Sequence, residues 1–283
     1  MIDFHTHLTA VQGDWPPDPE LNRACEEVFG MGPFQPMKTF LAAMDEAGIT
    51  QSVVLPIDCT TAHGCKVFSN EQIAAIVAEQ PRLIGFASVD PNRPQAAGDL
   101  EHAVRDLGLR GLKLDPAVQD FDVTDRKLAY PVFAKAAELD IPVVIHAGLS
   151  WAPNGRSAKA HPLALEAVAH DLPELRFVIA HFGFPWVREA AMLALRFPQV
   201  YLDTAIIYSG SPSDSVGRVF RHEIGMDVIR RSLRNQIVFG SNTPRIRPKR
   251  MSQAMTALDL DPDLYRNITE VNAQRLLGTK EAS

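Results

Sequence analysis

The sequence predicts a single-domain α/β protein, residues 1–283, built as a closed (β/α)8 barrel with long loops at the carboxyl ends of its strands. Short apolar runs rich in β-branched residues alternate eight times with amphipathic segments of helical period. Several runs are apolar on consecutive residues, as parallel strands are when helices cover them. The length of 283 residues also suits such a barrel, which needs about 250.

The predicted elements follow one another in strict alternation. The strands cover residues 2–6, 51–57, 83–89, 110–114, 142–146, 176–181, 199–203 and 236–241. The amphipathic segments cover residues 37–47, 70–79, 94–107, 126–139, 162–170, 186–196, 226–234 and 269–277. This order favours a parallel sheet because each helix returns the chain to the same end of the sheet.

The connections predict which end of the barrel carries the chemistry. Links from helix to strand are short and contain Gly or Pro, as in Ala47-Gly48-Ile49 and Phe197-Pro198, which end helices. Four links from strand to helix are long, at residues 8–36, 58–69, 147–161 and 204–225. All of this elaboration falls at the carboxyl ends of the strands, where barrel enzymes place their active sites.

Composition limits the partners and the compartment. The chain is 46% apolar and 22% charged, which is typical of a globular enzyme, and its net charge of −6 argues against nucleic acid or anionic membrane as a partner. Cys25, Cys59 and Cys65 show no paired metal or redox spacing, so we expect thiols in a reducing compartment. Neither a leader pattern nor an apolar run of about 20 residues is visible, and we therefore expect a cytoplasmic location.

Four histidines lie at predicted strand ends. His5 and His7 alternate on the first strand, so their side chains project to the same side, about 6.6 Å apart. His146 ends the fifth strand and His181 ends the sixth. Imidazoles that meet at one end of a barrel can bind Zn, Fe, Mn or Co. A His-x-His pair alone is a weak signal, and the strand-end context is what predicts a metal centre.

These motifs carry a family resemblance. The first-strand His-x-His, the histidines that end strands five and six, and a closing Phe-Gly-Ser-x-x-Pro resemble the amidohydrolase superfamily of TIM barrel enzymes. The stretches Gly111–Pro116, Ile145–Gly148 and Asn272–Gly278 narrow the resemblance to the branch called "amidohydrolase 2", typified by aminocarboxymuconate semialdehyde decarboxylase. The resemblance covers nearly the whole chain, and it specifies fold and site better than substrate.

The resemblance implies a ligand set. In this family the first-strand histidines and the fifth-strand histidine bind a divalent metal, which makes His5, His7 and His146 the expected ligands. His181 is expected beside the metal or the reacting group, as a further ligand or a catalytic residue. We expect zinc as the metal, and iron, manganese and cobalt remain open because the type of ligand does not choose between them.

The eighth strand departs from the family pattern. The family usually has an aspartate there, as metal ligand and proton acceptor, whereas this chain has Asn242. An amide oxygen can bind a metal but cannot accept a proton at neutral pH. Asp203, at the end of the seventh strand, is one substitute base. Asp58, Asp90 and Asp115 also fall at strand ends, where we interpret them as caps of the following helix or turn.

Lys113 is expected inside the barrel. If Leu112 and Leu114 face the helices, alternation turns Lys113 inwards, where a lone ammonium is costly. In the binuclear branch of the superfamily a fourth-strand lysine becomes a carbamate that bridges two metals. A carboxylated Lys113 would restore the negative charge that Asn242 lacks. The alternative is an ammonium paired with a nearby aspartate.

A basic run, residues 245–250, follows the eighth strand on the expected active face. Arg245 and Arg247 are candidates to bind a substrate carboxylate, a phosphate or an acyl-carrier group. A solvated charge run is the alternative.

The function expected from these residues is a metal-dependent hydrolase of a small, anionic lactone, amide or thioester. His181, Asn242 and Asp203 are its candidate catalytic residues. One alternative is a metal-dependent decarboxylase, which is a lyase, and a second is a degenerate barrel without turnover, favoured by Asn242. The family analogy further suggests a homodimer.

Overall fold

The computed structural model describes residues 1–8, 19–30, 36–205 and 210–279. Predictions for the intervening and terminal residues, which include parts of the predicted loops 8–36 and 204–225, lie outside the described residues. In the described part of the chain, no helix is both long and apolar enough to cross a membrane.

The strands of the described residues form a parallel barrel, as predicted. Its third strand is split at Phe86 into two pieces, and the first and eighth strands close the ring, since Phe4 N–H donates to the Phe239 carbonyl at 2.8 Å. The barrel strands form one sheet of three strands and one of six, in which the two pieces of the third strand count separately. Each neighbouring pair of strands within either sheet is parallel. In order, the barrel strands are Ile2–Thr6, Gln51–Val54, Leu83–Gly85 with Ala87–Ser88, Leu112–Leu114, Val143–Ile145, Phe177–Ile179, Val200–Asp203 and Ile237–Val238.

Helices cover the outside of the barrel. Those at Met37–Ala47 and Asn70–Glu79 have the predicted bounds, and the second begins with a reciprocal cap between Ser69 and Gln72. The other helices between barrel strands are Ala96–Arg105, Ala129–Glu138, Pro162–Ala164 with Leu165–Asp171, Val187–Arg196, and Met226–Val228 with Ile229–Leu233. The closing helices are Pro262–Arg266, Asn267–Val271 and Asn272–Leu276.

The predicted end of the second strand, 51–57, is wrong. The barrel strand stops at Val54, and Ile57–Cys59 instead pairs antiparallel with Cys65–Val67 in a hairpin outside the barrel. Pro56 explains the break because proline has no N–H to continue the ladder. A short helix, Thr60–His63, joins the two hairpin strands.

Additional helices lie at the carboxyl ends of the strands. Pro19–Phe29 falls within the predicted loop 8–36, and Pro212–Gly217, continued by Arg218–Ile224, falls within 204–225. Pro212–Gly217 packs against Pro248–Thr256, which follows the eighth strand. Single turns occur at Pro116–Gln119, Ser157–Ala160 and Ala180–Gly183. The elaborated face is therefore the predicted one.

The core has two layers. Side chains such as Phe4, Val144 and Val178 fill the barrel interior, and the terminal helix packs on this inner cluster through Leu276. A larger apolar layer lies between the strands and the surrounding helices. The inner layer leaves the carboxyl end of the barrel to polar side chains.

Candidate metal centre and active site

The structure brings the four predicted histidines together at the carboxyl end of the barrel. His5 lies in the first strand, His7 just beyond it, His146 after the fifth strand and His181 after the sixth, and all four are buried. The ring centroids of His5 and His181 are 4.8 Å apart, as are those of His146 and His181, and those of His5 and His7 are 5.1 Å apart.

Hydrogen bonds fix the tautomers of the first-strand histidines. His5 Nδ1 lies 2.7 Å from Asp203 Oδ2, and His7 Nδ1 lies 2.9 Å from the Leu55 carbonyl oxygen. Because a carbonyl or an ionised carboxylate only accepts, each Nδ1 carries the hydrogen and each Nε2 keeps its lone pair. The two Nε2 atoms lie 3.2 Å apart. Two lone pairs that face each other at this distance suit a shared cation.

The other two histidines extend this set. His181 Nδ1 lies 2.8 Å from the Ala205 carbonyl oxygen, so its Nε2 also keeps a lone pair. That atom lies 3.0 Å from His146 Nδ1. His146 Nε2 is buried and has no hydrogen-bond partner among the described residues. Buried polar atoms rarely stay without a partner unless a ligand, ion or water supplies one.

Asp203 lies behind the histidines. One carboxylate oxygen accepts the N–H groups of His181 at 2.7 Å and Ala205 at 3.0 Å, and the other accepts from His5. Ligand atoms of His5, His181 and Asp203 lie within 4.8 Å of one another. The bond to His5 orients that imidazole, as carboxylates behind metal-binding histidines do, whereas the bond to His181 holds its backbone.

Burial keeps the imidazoles neutral. It lowers the pKa of His5, His7 and His181 well below the usual value, and it lowers the pKa of His146 to about 3, with a smaller effect from the Lys113 charge. Neutral imidazole is the form that binds a metal. The donor set is nitrogen-rich, which fits zinc or another transition metal better than calcium or magnesium.

A left-handed turn sets the direction of His181. His181, Phe182 and Gly183 have φ angles of 58°, 52° and 67°, directly after the sixth strand. This conformation is costly for residues with a side chain, so the surrounding packing must hold it. The neighbouring turn depends on Gly148, where a Cβ atom would lie 2.1 Å from the Phe184 carbonyl oxygen.

A small cavity, of about 40 Å³, opens beside the histidines. It has room for about one to three water molecules. Val28, from the added helix Pro19–Phe29, helps to cover it. Its lining residues are His7, Val28, Ile57, Lys113, Asp115, Val118, His146, Leu149, Ser150, Trp151, Ala152, His181, Asn242 and Arg245.

Lys113 lies in this lining and is 1% exposed. Burial lowers its pKa, and the carboxylates of Asp115 and Asp203 act in the opposite direction. Among the described residues, no carboxylate oxygen lies within 4.0 Å of its nitrogen. The structure therefore places the side chain where the alternation predicts and shows no direct ion pair for it in the described part of the chain.

The two carboxylate oxygens of Asp115 have different neighbours. One oxygen accepts the N–H groups of Ala117 and Val118, both at 3.1 Å, which caps Pro116–Gln119. The other oxygen lies 3.8 Å from His146 Nδ1, and the residue lines the cavity. Burial raises the pKa of this carboxyl group. Its capping role follows from its sequence position, whereas its place at the cavity depends on contacts distant along the chain.

The remaining strand-end aspartates are caps. Asp58 accepts the N–H of Thr60 and pairs with Lys66, and Asp90 accepts the N–H of Thr61. Neither aspartate lines the cavity.

The basic run forms part of the mouth of the site. Arg245 lines the cavity, and Asn242, in a left-handed conformation with φ 60°, lies beside it. Arg247 does not reach the cavity but lines an adjoining groove of about 620 Å³. Trp151, which we did not single out from the sequence, lines both spaces.

Known proteins resemble this chain over most of its length. The family model described as "Amidohydrolase" matches residues 2–279. The 2-keto-4-carboxy-3-hexenedioate hydratase of Sphingobium sp. is 31% identical over 216 residues, which cover 68% of this chain and 59% of the hydratase. The chain thus spans about three fifths of that relative.

Solved structures share the fold. An uncharacterised TIM barrel protein from Bordetella bronchiseptica superposes with a TM-score of 0.77 at 24% identity, covering 98% of both chains. The 5-carboxyvanillate decarboxylase of Novosphingobium aromaticivorans, solved with bound manganese, has a TM-score of 0.65 at 16% identity and covers 98% of this chain and 97% of its own. The family match and the TIM barrel architecture agree, and members of the family are metal-dependent enzymes. The chain belongs to the amidohydrolase family, in the amidohydrolase 2 branch that its motifs predict.

Proposed function

We propose that the protein is a metal-dependent enzyme that adds water to a small anionic organic substrate. The observation that carries this proposal is the pair of Nε2 atoms of His5 and His7, which lie 3.2 Å apart and keep their lone pairs because each ring is hydrogen-bonded through Nδ1. His181 and Asp203 offer further ligand atoms within 4.8 Å of His5. His146, with a buried Nε2 that lacks a partner in the described residues, completes the proposed ligand set.

A divalent metal bound by these residues would polarise a substrate oxygen and lower the pKa of water. Asp203 would hold His5 in its metal-binding tautomer, which makes it a positioning residue. Its three hydrogen bonds support this role over the role of base that the sequence suggests.

Asp115 is the proton acceptor that we propose in its place. Its second oxygen reaches the cavity beside His146, and burial raises the pKa of the carboxyl group towards the range that a base at neutral pH needs. Asn242 lines the same cavity and cannot take the proton. Arg245, also in the lining, would hold a substrate carboxylate.

Water addition covers two reactions. Hydrolysis of a lactone, amide or thioester is the reaction expected from the sequence. Hydration of an activated carbon–carbon double bond is favoured by the Sphingobium relative, which is named a hydratase. Both need an activated water and a proton acceptor. In hydration the hydroxyl group and the proton add to the two carbons of the double bond and no group leaves, whereas in hydrolysis the acyl bond is cleaved and the leaving group takes the proton.

Decarboxylation is the second candidate. It is favoured by the name of the decarboxylase from Novosphingobium, which shares the fold at 16% identity. This reaction would use the metal and Arg245 to hold the substrate and would need no water.

The products decide between these reactions. Protein loaded with zinc or manganese would be incubated in ¹⁸O-labelled water with unsaturated oxo-dicarboxylates, lactones and aromatic acids, followed by mass spectrometry. We expect one ¹⁸O atom in the product, with no fragment lost in hydration and a bond opened in hydrolysis. An organic product that has lost the mass of carbon dioxide and gained no ¹⁸O would establish decarboxylation. No turnover with any metal would support the degenerate barrel.

A further inference from the structure

A charged groove adjoins the catalytic cavity. We call it the arginine groove; its volume is about 620 Å³, far larger than the cavity. Trp151 and Arg245 line both spaces, so a molecule seated in the cavity could extend directly into the groove. The groove is lined by Trp151, Gly210, Pro212, Ser215, Pro244, Arg245, Ile246, Arg247 and Arg250.

Two cations of this groove, Arg247 and Arg250, have no ion pair within the described part of the chain. Among the described residues, no carboxylate oxygen lies within 4.0 Å of Arg247 or Arg250. Some other arginines have such a partner, as Arg82 does at 2.7 Å from Asp45, and others, such as Arg230, have none among the described residues. The chain as a whole carries a net charge of −6, so the groove is a local exception to its charge. A concentrated positive potential of this kind attracts anions.

The fold fixes where these cations point. Arg247 precedes the first residue of the helix Pro248–Thr256, and Arg250 lies three positions later, on the neighbouring turn. Residues three apart lie on one side of a helix, and both line the groove. Lys249, which is also exposed and lies between them in sequence, is absent from the lining.

We propose that the arginine groove is a subsite for a second anionic group of an elongated substrate. This inference rests on the proposed function, which places the first anionic group in the cavity beside Arg245. Trp151, 55% exposed, lies where the two spaces meet and offers an apolar face to the middle of the substrate. The second group is a carboxylate or a phosphate, since guanidinium groups bind both.

The probes are straight-chain dicarboxylates from succinate to sebacate, each compared with the monocarboxylate of equal length. Binding to the metal-loaded protein is measured by calorimetry. We expect one range of lengths in which the dicarboxylate binds about tenfold more tightly, because a second charge-assisted contact forms. Phosphonocarboxylates of that length identify the second anionic group of the substrate. Tighter binding than that of the dicarboxylate indicates a phosphate, and weaker binding indicates a carboxylate.

Matched variants locate the effect. The double variant Arg247→Gln/Arg250→Gln should remove the tenfold advantage and leave monocarboxylate binding unchanged. Lys249→Gln, which removes an equal charge outside the lining, should keep the advantage. Both variants change exposed side chains, and equal melting temperatures would show that the fold is intact.

Two results would overturn the subsite. One is a wild-type protein that binds dicarboxylates no better than monocarboxylates at any length. The other is an equal loss of the advantage in Lys249→Gln, which would indicate general attraction. The titrations are repeated after a chelator has removed the metal. Because Arg247 and Arg250 need no metal, the advantage of the dicarboxylate should remain, which separates the subsite from the proposed metal-dependent activity. Turnover without the advantage would remove only the subsite, and the advantage without turnover would remove only the proposed function.

Discussion

His5 Nδ1 donates a hydrogen bond to Asp203 Oδ2 at 2.7 Å, and both side chains are fully buried. The bond joins the first and seventh strands across the floor of the site. It leaves His5 Nε2 as the atom that faces His7, and it thereby decides which nitrogen of the ring is available to a metal.

Asp203→Asn should weaken metal binding by about 10- to 100-fold. An amide group can present N–H to His5 Nδ1, which favours the tautomer with hydrogen on Nε2. Metal affinity would be measured by competition with a chelator. Asp90→Asn is the control because Asp90 caps a turn and does not line the cavity. Equal affinities in the two variants would contradict the positioning role.

Asn242→Asp should lower kcat/KM by about tenfold. The new carboxylate would line the same cavity as Asp115 and raise the pKa of that group further by like-charge repulsion. The check is the pH dependence of kcat/KM in both proteins, where we expect the acidic limb, on which Asp115 loses its proton, to shift to higher pH in the variant. A large gain in activity would instead indicate that the wild-type site is degenerate.

Lys113 should remain unmodified, with one metal in each chain. The described residues provide one group of convergent ligands, whereas a bridging carbamate needs ligands for two ions. Intact mass under non-denaturing conditions and metal content by atomic emission would be measured on protein prepared with and without bicarbonate. Two metals together with one added carboxylate would establish the carbamate.

Gly148→Ala should destabilise the protein by about 2–4 kcal/mol and impair metal binding. The added Cβ atom would lie 2.1 Å from a backbone oxygen, at φ 109°, two residues after His146. Gly98→Ala is the matched control. Its Cβ atom meets nothing within 4 Å in the helix Ala96–Arg105, so it should stabilise the protein by about 0.5–1 kcal/mol. Urea unfolding of both variants measures the difference, and similar midpoints would refute the steric argument.

The barrel could be predicted because its strands are short apolar runs with clear punctuation. The hairpin at Ile57–Cys59 was missed because apolar character continues through Leu55-Pro56, although the proline already signals the end of the ladder. The helix Pro248–Thr256 was missed because it is rich in polar residues. Its one local sign is proline at the first turn.

The histidines could be located from the sequence because each follows an apolar run. The tautomers could not, since they depend on the Leu55 and Ala205 carbonyls, which lie 48 and 24 residues from their partners. Trp151 carries no local signal either, and Arg250 is visible in the sequence only as the last residue of the basic run 245–250. Both residues line one groove only because the fold brings the segments that follow the fifth and eighth strands to the same opening.

The turn at His181–Gly183 has a consequence for protein engineering. The left-handed backbone at His181 directs its Cα–Cβ bond differently from the way an extended strand end would. Grafting this centre onto another barrel would therefore require the whole tripeptide and its packing to be transplanted, because a histidine placed at the tip of an ordinary strand would point elsewhere.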